Sequence, residues 1–160
     1  MSKIRMIAAI DIRRGLARKN IIPWKLPADT KYYQDMTMGN SVVLGKNTYF
    51  AIGPSILAKR YSHIYVVAHE QIEVENGEVI SDISKLANDI AEDLWVLGGG
   101  SVYQQFLPYA DELYLTQVSG DYNCDVFFPD FEDTFELATK SAEMNHNGID
   151  FRFEKWISLG

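Results

Sequence analysis

The chain has only one cysteine, Cys124, among its 160 residues. An intrachain disulfide is therefore excluded, and so is a zinc site built from several thiolates. The three histidines, His63, His69 and His146, do not have the spacing of metal ligands, so we expect no metal centre and surface or loop positions for all three. No apolar run reaches the length that spans a bilayer, and the first six residues do not resemble a secretory signal. These absences predict a cytoplasmic protein that does not bind a membrane.

What is present is typical of a globular protein. Apolar residues make up 47% of the chain and charged residues 23%, and 160 residues suffice for one domain, residues 1–160, with a real core. The net charge of −7 is unevenly distributed: residues 1–60 contain eleven Lys/Arg and three Asp/Glu, whereas residues 61–160 contain four and nineteen. The acidic body argues against nucleic-acid binding. The basic first third either attracts a small anionic ligand or reflects chance clustering on a solvated face.

Apolar runs alternate with helical patterns along most of the chain. The runs at residues 3–10, 41–45, 64–68, 94–97 and 112–118 predict buried strands, with a brief strand at 79–80, and helices are predicted at 28–36, 46–52, 83–91 and 101–107. Residues 11–20 are polar and basic, which indicates a long mobile loop. Residues 135–140 and 151–157 predict a closing antiparallel pair, with turn-like residues at 145–148. The pattern predicts a single α/β domain, with a mostly parallel central sheet, an antiparallel C-terminal hairpin and helices on both faces.

A proline-rich stretch ends the predicted loop. Pro23 and Pro27 cannot lie inside one helix, because each lacks an N–H donor and clashes with the preceding turn. Pro27 suits the first turn of a helix, which places Asp29 in that same turn, just after the indole of Trp24. Asp29 is either an acid favoured by the helix dipole or a buried carboxylate that polarises a nitrogen heterocycle.

Two glycine-containing junctions connect a strand to a helix, at residues 45–48 and 98–101. Glycine lets a ligand approach the backbone closely, and two junctions of this kind suit the pyrophosphate of a dinucleotide better than one. Neither the G-x-G-x-x-G fingerprint nor a P-loop is present, so the junction at residues 98–101, taken alone, is better explained as an ordinary strand-to-helix turn than as a nucleotide site.

Four blocks of sequence, at residues 22–29, 42–49, 96–103 and 113–116, together resemble the bacterial dihydrofolate reductase family in their order and spacing. The similarity covers nearly the whole chain. It implies NADPH-dependent reduction of 7,8-dihydrofolate to 5,6,7,8-tetrahydrofolate, with hydride transfer to C6 and protonation of N5. It also implies a cytoplasmic monomer that binds dihydrofolate and antifolate-type small molecules.

The resemblance assigns a role to each matching residue. Asp29 and Thr116 would hydrogen-bond the pterin, Trp24 would hold a water molecule beside it, and Ile22 would lie on a loop that closes over it. The hydrophobic walls around the substrate would be Ile7, Tyr33 and Ile52, which are otherwise simply core residues. The residues facing the cofactor would be Ala9, Leu16 and Tyr103 at the nicotinamide, Gly98, Gly99, Gly100, Ser101 and Val102 at the pyrophosphate, and Lys46, Asn47 and Thr48 at the phosphates. The Gly98–Gly99 bond would be cis.

Some positions depart from the family pattern. Ala17 replaces a glycine in the loop, and Thr30 follows the carboxylate where an apolar residue is usual. The spacing after residue 53 is longer than usual, and Arg60 is our choice for the arginine that holds the glutamate carboxylate of the substrate, with Lys59 as the alternative.

The expected 2′-phosphate site also has few groups that could bind a phosphate, because Ala68, His69 and Ser101 stand where hydroxyls and arginines are common in the family. We therefore predict NADPH over NADH with reduced discrimination. Two other functions stay open at this point. One is a reductase of the same fold that acts on a pyrimidine or riboflavin precursor, and the other is a non-catalytic pterin- or nucleotide-binding module.

Overall fold

The apolar runs form the centre of a sheet in the computed structural model, which describes residues 2–160. The strands are β1 (Ile4–Ile10), β2 (Gly15–Ala17), β3 (Ser41–Gly45), β4 (His63–Val67), β5 (Gly77–Ile80), β6 (Leu94–Val96), β7 (Glu112–Val118), β8 (Val126–Phe127), β9 (Phe135–Lys140), β10 (Met144–His146) and β11 (Ile149–Ser158). The helices are α1 (Pro27–Thr37), α2 (Lys46–Ile52), α3 (Pro54–Arg60), α4 (Ile83–Asp89) and α5 (Gly100–Phe106), the last followed by a 3₁₀ turn at Leu107–Tyr109. No helix within residues 2–160 is both long and apolar enough to cross a membrane.

Nine strands form one mixed sheet in the order β10-β11-β7-β1-β6-β3-β4-β5, and β9 pairs with the C-terminal part of β11 on the same edge as β10. The six strands from β7 to β5 run parallel to one another. β11 is antiparallel to β7, and β9 and β10 are antiparallel to β11. The predicted α/β class, with a mostly parallel sheet and antiparallel C-terminal strands, is confirmed.

Helices cover both faces of the sheet, which explains why the central strands are apolar throughout. On β1, Met6 belongs to the core that contains Phe106 of α5, whereas its neighbour Ile7 belongs to the core that contains Tyr49 of α2 and Leu57 of α3. Alternate residues of one strand thus supply two separate cores.

This arrangement places a crevice at the carboxyl end of β1. The chain leaves β1 towards α1 and β3 on one face, and it leaves the adjacent β6 towards α5 and β7 on the other. The connections of two neighbouring parallel strands therefore diverge to opposite sides. In open α/β sheets, ligands bind at such a switch point, outside the carboxyl ends of the strands.

The structure differs from the expectations in three places. The predicted loop 11–20 contains β2, which pairs with β8 in a small second sheet more than a hundred residues away in sequence. Gly53-Pro54 ends α2 as expected, but Pro54 then begins α3, since proline is tolerated in a first helical turn. The predicted pair 135–140 and 151–157 does form, yet the tight turn at Asn147-Gly148 joins β10 to β11. Both turn residues have positive φ, as hairpin turns require.

Candidate active site

Asp29 and Thr116 meet at the switch point although 87 residues separate them in the chain. Asp29 lies in the first turn of α1, which Pro27 begins, and Thr116 lies on β7, directly opposite Ala9 of β1. The Thr116 hydroxyl donates a hydrogen bond of 2.5 Å to Asp29 Oδ1. Burial raises the pKa of Asp29, and the bond from Thr116 opposes that rise. Asp29 Oδ2 accepts no hydrogen bond from residues 2–160 and is available to a ligand.

The three residues expected to contact the rings of the substrate share one hydrophobic core, on the face of the sheet that carries α2 and α3. Ile7 is 3% exposed, and the partly buried Tyr33 and Ile52 pack against the same core. Burial raises the pKa of Tyr33 well above its usual value, while the charge of nearby Arg60 acts in the opposite direction. Arg60 is the last residue of α3 and is partly buried.

Trp24 is buried in a small core of its own, which also contains Leu26, Val118 and Phe151. Its indole is 6% exposed and packs edge-on against Tyr122, with ring centroids 5.2 Å apart. Ala9, which is expected to face the nicotinamide, packs in the same small core. Ile22, two residues before Trp24, is 61% exposed on the loop and contributes no packing of that kind.

Tyr103 connects α5 to the floor of the crevice. Its hydroxyl donates a hydrogen bond of 2.6 Å to the Ile7 carbonyl oxygen, and the side chain is buried. Burial raises the pKa of Tyr103, and the negative charge of Asp29 acts in the same direction, so the phenol stays neutral.

The two glycine junctions lie side by side. The Gly45 N–H donates a hydrogen bond of 2.8 Å to the Gly98 carbonyl, and the Gly98–Gly99 bond is cis, as the resemblance implies. A Cβ on Gly100 would lie 2.8 Å from Val126 of β8, and one on Gly98 would lie 3.1 Å from Tyr103. Close packing against the protein's own side chains therefore requires glycine at both positions.

Three of the side chains expected to bind the cofactor phosphates lie in the first turn of α2. The Thr48 hydroxyl lies 3.5 Å from the position that a Cβ on Gly99 would occupy. Asn47 is exposed beside it. Lys46 donates a hydrogen bond of 2.7 Å to Glu70, a carboxylate that follows β4 and that the sequence analysis did not single out. The cation at this junction is therefore already paired.

The remaining predicted cofactor residues lie around these junctions. Ser101 is exposed on α5, and its hydroxyl accepts a hydrogen bond from Gln105. Val102 is buried against Gly45, and Leu16 of β2 reaches to 3.9 Å from the position of a Cβ on Gly100. Ala68 and His69 follow β4, the first buried and the second exposed.

A partly buried carboxylate at the carboxyl edge of a parallel sheet, together with two glycine-containing strand-to-helix junctions, is typical of a nucleotide-dependent enzyme of the α/β class. The family model for dihydrofolate reductase matches residues 3–158. Among curated relatives, the dihydrofolate reductase of Bacillus subtilis is 30% identical over 94% of this chain and 91% of its own length. The type 3 dihydrofolate reductase of Salmonella typhimurium is 35% identical over 80% and 79%. The chain therefore belongs to the dihydrofolate reductase family, whose reaction is the reduction of 7,8-dihydrofolate with NADPH.

A solved structure agrees in fold. The dihydrofolate reductase of Enterococcus faecalis, complexed with NADP(H) and RAB-propyl, superimposes with a TM-score of 0.85 over 99% of this chain and 97% of its own, at 21% sequence identity. The family match does not favour the alternative of a reductase for a pyrimidine or riboflavin precursor.

Proposed function

We propose that this chain reduces 7,8-dihydrofolate to 5,6,7,8-tetrahydrofolate and that Asp29 binds the pterin ring for this reaction. The observation that carries the proposal is the pairing of Asp29 with Thr116 at 2.5 Å, in a partly buried crevice, with the second carboxylate oxygen left free. An ionised carboxylate accepts hydrogen bonds but donates none. It therefore matches a ring N–H and an adjacent amino group, with which it forms two charge-assisted bonds.

The protein groups orient the substrate and exclude water, whereas bound NADPH supplies the hydride for pterin C6. Asp29 binds the far edge of the ring from N5, so it is not the direct proton donor. A water molecule beside Trp24, admitted by movement of the loop that carries Ile22, delivers that proton. Ile7, Tyr33 and Ile52 pack on the rings of the substrate and keep bulk water away from the reacting atoms.

The tail of the substrate ends in carboxylates, for which we assign Arg60. A guanidinium forms two parallel hydrogen bonds to a carboxylate, which the alternative, Lys59, cannot reproduce. Arg60 is partly buried near Tyr33, whereas Lys59 is exposed. This difference in position supports Arg60.

The residues of the glycine junctions would hold NADPH. Gly98, Gly99 and Gly100 would lie along the pyrophosphate, and Ala9, Leu16, Val102 and Tyr103 would lie along the nicotinamide end. Lys46, Asn47, Thr48 and Ser101 would contact the phosphates. A 2′-phosphate must compete with Glu70 for Lys46, and Ala68 and His69 add little positive charge. This competition supports a preference for NADPH over NADH that is weaker than in other members of the family.

We also infer a single domain that acts as a monomer in the cytoplasm on small molecules. The acidic body of the chain, with a net charge of −7, disfavours nucleic acid as a partner. The lone thiol of Cys124 suits a reducing compartment.

The test is the loss of NADPH absorbance with dihydrofolate and, in parallel, with pyrimidine and riboflavin precursors of the same reaction class. Turnover with dihydrofolate alone is expected. Turnover only with a pyrimidine or riboflavin precursor would indicate that the chain is a different reductase. Binding of NADPH and dihydrofolate without turnover would indicate a non-catalytic binding module. Equal kcat/KM for NADPH and NADH would contradict the assignment of cofactor preference.

A further inference from the structure

Asp11 is a buried carboxylate that the proposed reaction does not use. It follows β1 directly and is 1% exposed. Oδ1 accepts hydrogen bonds from the backbone N–H groups of Arg13, at 2.9 Å, and Gly15, at 2.8 Å. Oδ2 accepts one from the backbone N–H of Tyr122 at 3.0 Å. One side chain thus joins two segments of backbone that are more than a hundred residues apart in sequence.

The charge of Asp11 is stabilised by these backbone donors. No basic side chain forms a salt bridge with it within residues 2–160. Burial would raise the pKa of Asp11, but hydrogen bonds from Tyr122, Gly15 and Arg13 lower it. The backbone of Asp11 adds a bond from its N–H to the Gly15 carbonyl at 3.0 Å. The ionised side chain is therefore a fixed anchor for the loop that begins here.

Each of the two anchored segments contacts the candidate active site. Gly15 begins β2, whose next residue, Leu16, points at the Gly100 junction. The ring of Tyr122 packs edge-on against Trp24 at 5.2 Å between centroids. The carboxylate of Asp11 therefore fixes the backbone next to Leu16, on the cofactor side, and the backbone of Tyr122, whose ring supports Trp24 on the substrate side.

The contact between the two segments leaves little freedom to move one without the other. A Cβ on Gly15 would lie 2.5 Å from the Cβ of Cys124, which follows Tyr122 by two residues, and 2.8 Å from Asp11 Oδ1. Real Cβ atoms do not approach this closely, so Gly15 is pressed against both. The β2–β8 pairing continues this contact away from Asp11.

We propose that Asp11 is a positioning residue. It fixes the positions of Leu16 and Trp24 relative to each other across the crevice, and it thereby aligns the cofactor with the substrate. It acts through Gly15 and Tyr122 and touches neither ligand. The proposal rests on the function assigned above, in which Leu16 lies against NADPH and Trp24 beside the pterin.

The variant Asp11→Asn tests this directly, because it keeps the shape of the side chain but replaces one acceptor oxygen by an NH₂ donor. The amide can accept from the pair Arg13 and Gly15 or from Tyr122, but not from both. We expect amide hydrogen exchange at Gly15 or at Tyr122 to accelerate at least tenfold. Single-turnover hydride transfer should slow about tenfold with a much smaller change in KM for dihydrofolate, since alignment rather than binding is lost.

A matched control is Asp93→Asn at the other end of the sheet. Asp93 also accepts a backbone bond, from the Lys3 N–H at 2.8 Å, and it pairs with Arg5. This variant should lose stability without slowing hydride transfer. If Asp11→Asn shows unchanged exchange at both amides, or unchanged hydride transfer, the proposal is wrong.

A second variant, Tyr122→Leu, leaves the backbone N–H in place but removes the ring from Trp24. It should slow hydride transfer and alter the fluorescence of Trp24. If Asp11→Asn does not fold, this variant alone tests whether support of Trp24 by Tyr122 affects hydride transfer. Unchanged hydride transfer in Tyr122→Leu would overturn the link to Trp24. If the unmodified protein does not reduce dihydrofolate at all, the proposed function fails. In that case two measurements on Asp11→Asn still test the positioning role. Faster amide hydrogen exchange at Gly15 or Tyr122, with a weaker affinity for NADPH, would show that Asp11 positions Leu16, and no change in either would overturn the proposal.

Discussion

Replacing Asp29 by asparagine should abolish most of the activity while making the protein more stable. The amide has nearly the same shape as the carboxylate and can still accept the hydrogen bond from Thr116. It cannot accept two bonds from the pterin, however, because its NH₂ group would face a donor of the ring. The substitution therefore removes the recognition of the pterin and leaves the architecture in place.

The size of the effect follows from the bonds that are lost. A hydrogen bond to a charged group contributes about 1.5–3 kcal/mol, so loss of two such bonds costs about 3–6 kcal/mol. Because each 1.36 kcal/mol is tenfold in rate, kcat/KM for dihydrofolate should fall by roughly two to four orders of magnitude. Oxidation of NADPH, followed by absorbance near neutral pH, measures this. The rate of the variant should recover partly at low pH, where the substrate is already protonated.

The stability of the same variant should change in the opposite direction. Burial raises the pKa of Asp29 above its unfolded value, so the folded state binds the proton more tightly than the unfolded state. The ionised form is then unfavourable for folding, and its cost is fully present above the folded pKa. Asp29→Asn removes that cost, so Tm at neutral pH should rise.

The control for this prediction is Asp35→Asn, on the same helix. Asp35 is exposed and paired with Lys31, so it should change neither rate nor Tm appreciably. A loss of kcat/KM smaller than tenfold in Asp29→Asn, with an unchanged pH profile, would refute the reasoning.

Three further substitutions test neighbouring contacts. Thr116→Val removes the hydroxyl that lowers the pKa of Asp29, so the acid limb of the pH profile of kcat/KM should move to higher pH; an unmoved limb would mean that the bond has no electrostatic role. Tyr103→Phe leaves the buried Ile7 carbonyl without its donor and should lower the free energy of unfolding in urea by about 1–3 kcal/mol; no loss would indicate a replacement donor. Cationic neighbours lower the pKa of Glu112 from 4.5 to about 2, so its stabilising contribution is present above about 4.5 and disappears as the pH falls towards 2. Glu112→Gln should therefore flatten the dependence of Tm on pH over that range, and an unchanged slope would exclude this carboxylate as its source.

The sheet and the first turn of α1 could be predicted because their signals are local. The run around Met6 is apolar on both faces, which indicates a central parallel strand wherever it occurs. Pro27 fixes where α1 begins and therefore places Asp29. Neither inference depends on knowing which distant segment lies opposite.

Most of the features that sequence patterns did not reveal are contacts between distant segments. β2 has three residues and β8 has two, so neither shows a period, and each exists because the other is beside it. The pairing of Lys46 with Glu70 and the bonds of Asp11 likewise join residues that only the fold brings together. The helix α3 was missed for a different reason, because a proline that ends one helix can begin the next.

The two carboxylates of the crevice show why residue type alone could not separate an anchor from a binding group. Asp11 accepts three backbone N–H groups, and its pKa is lowered although it is almost completely buried. Asp29 accepts one hydroxyl, and its pKa is raised. Both are aspartates, so residue type does not distinguish them. The difference lies in how many donors the fold supplies: a carboxylate satisfied by its own protein is fixed in place, whereas one left with a free oxygen gains its remaining donors from a ligand. The count of donors, which requires the folded chain, supports the proposal that Asp29 rather than Asp11 binds the pterin.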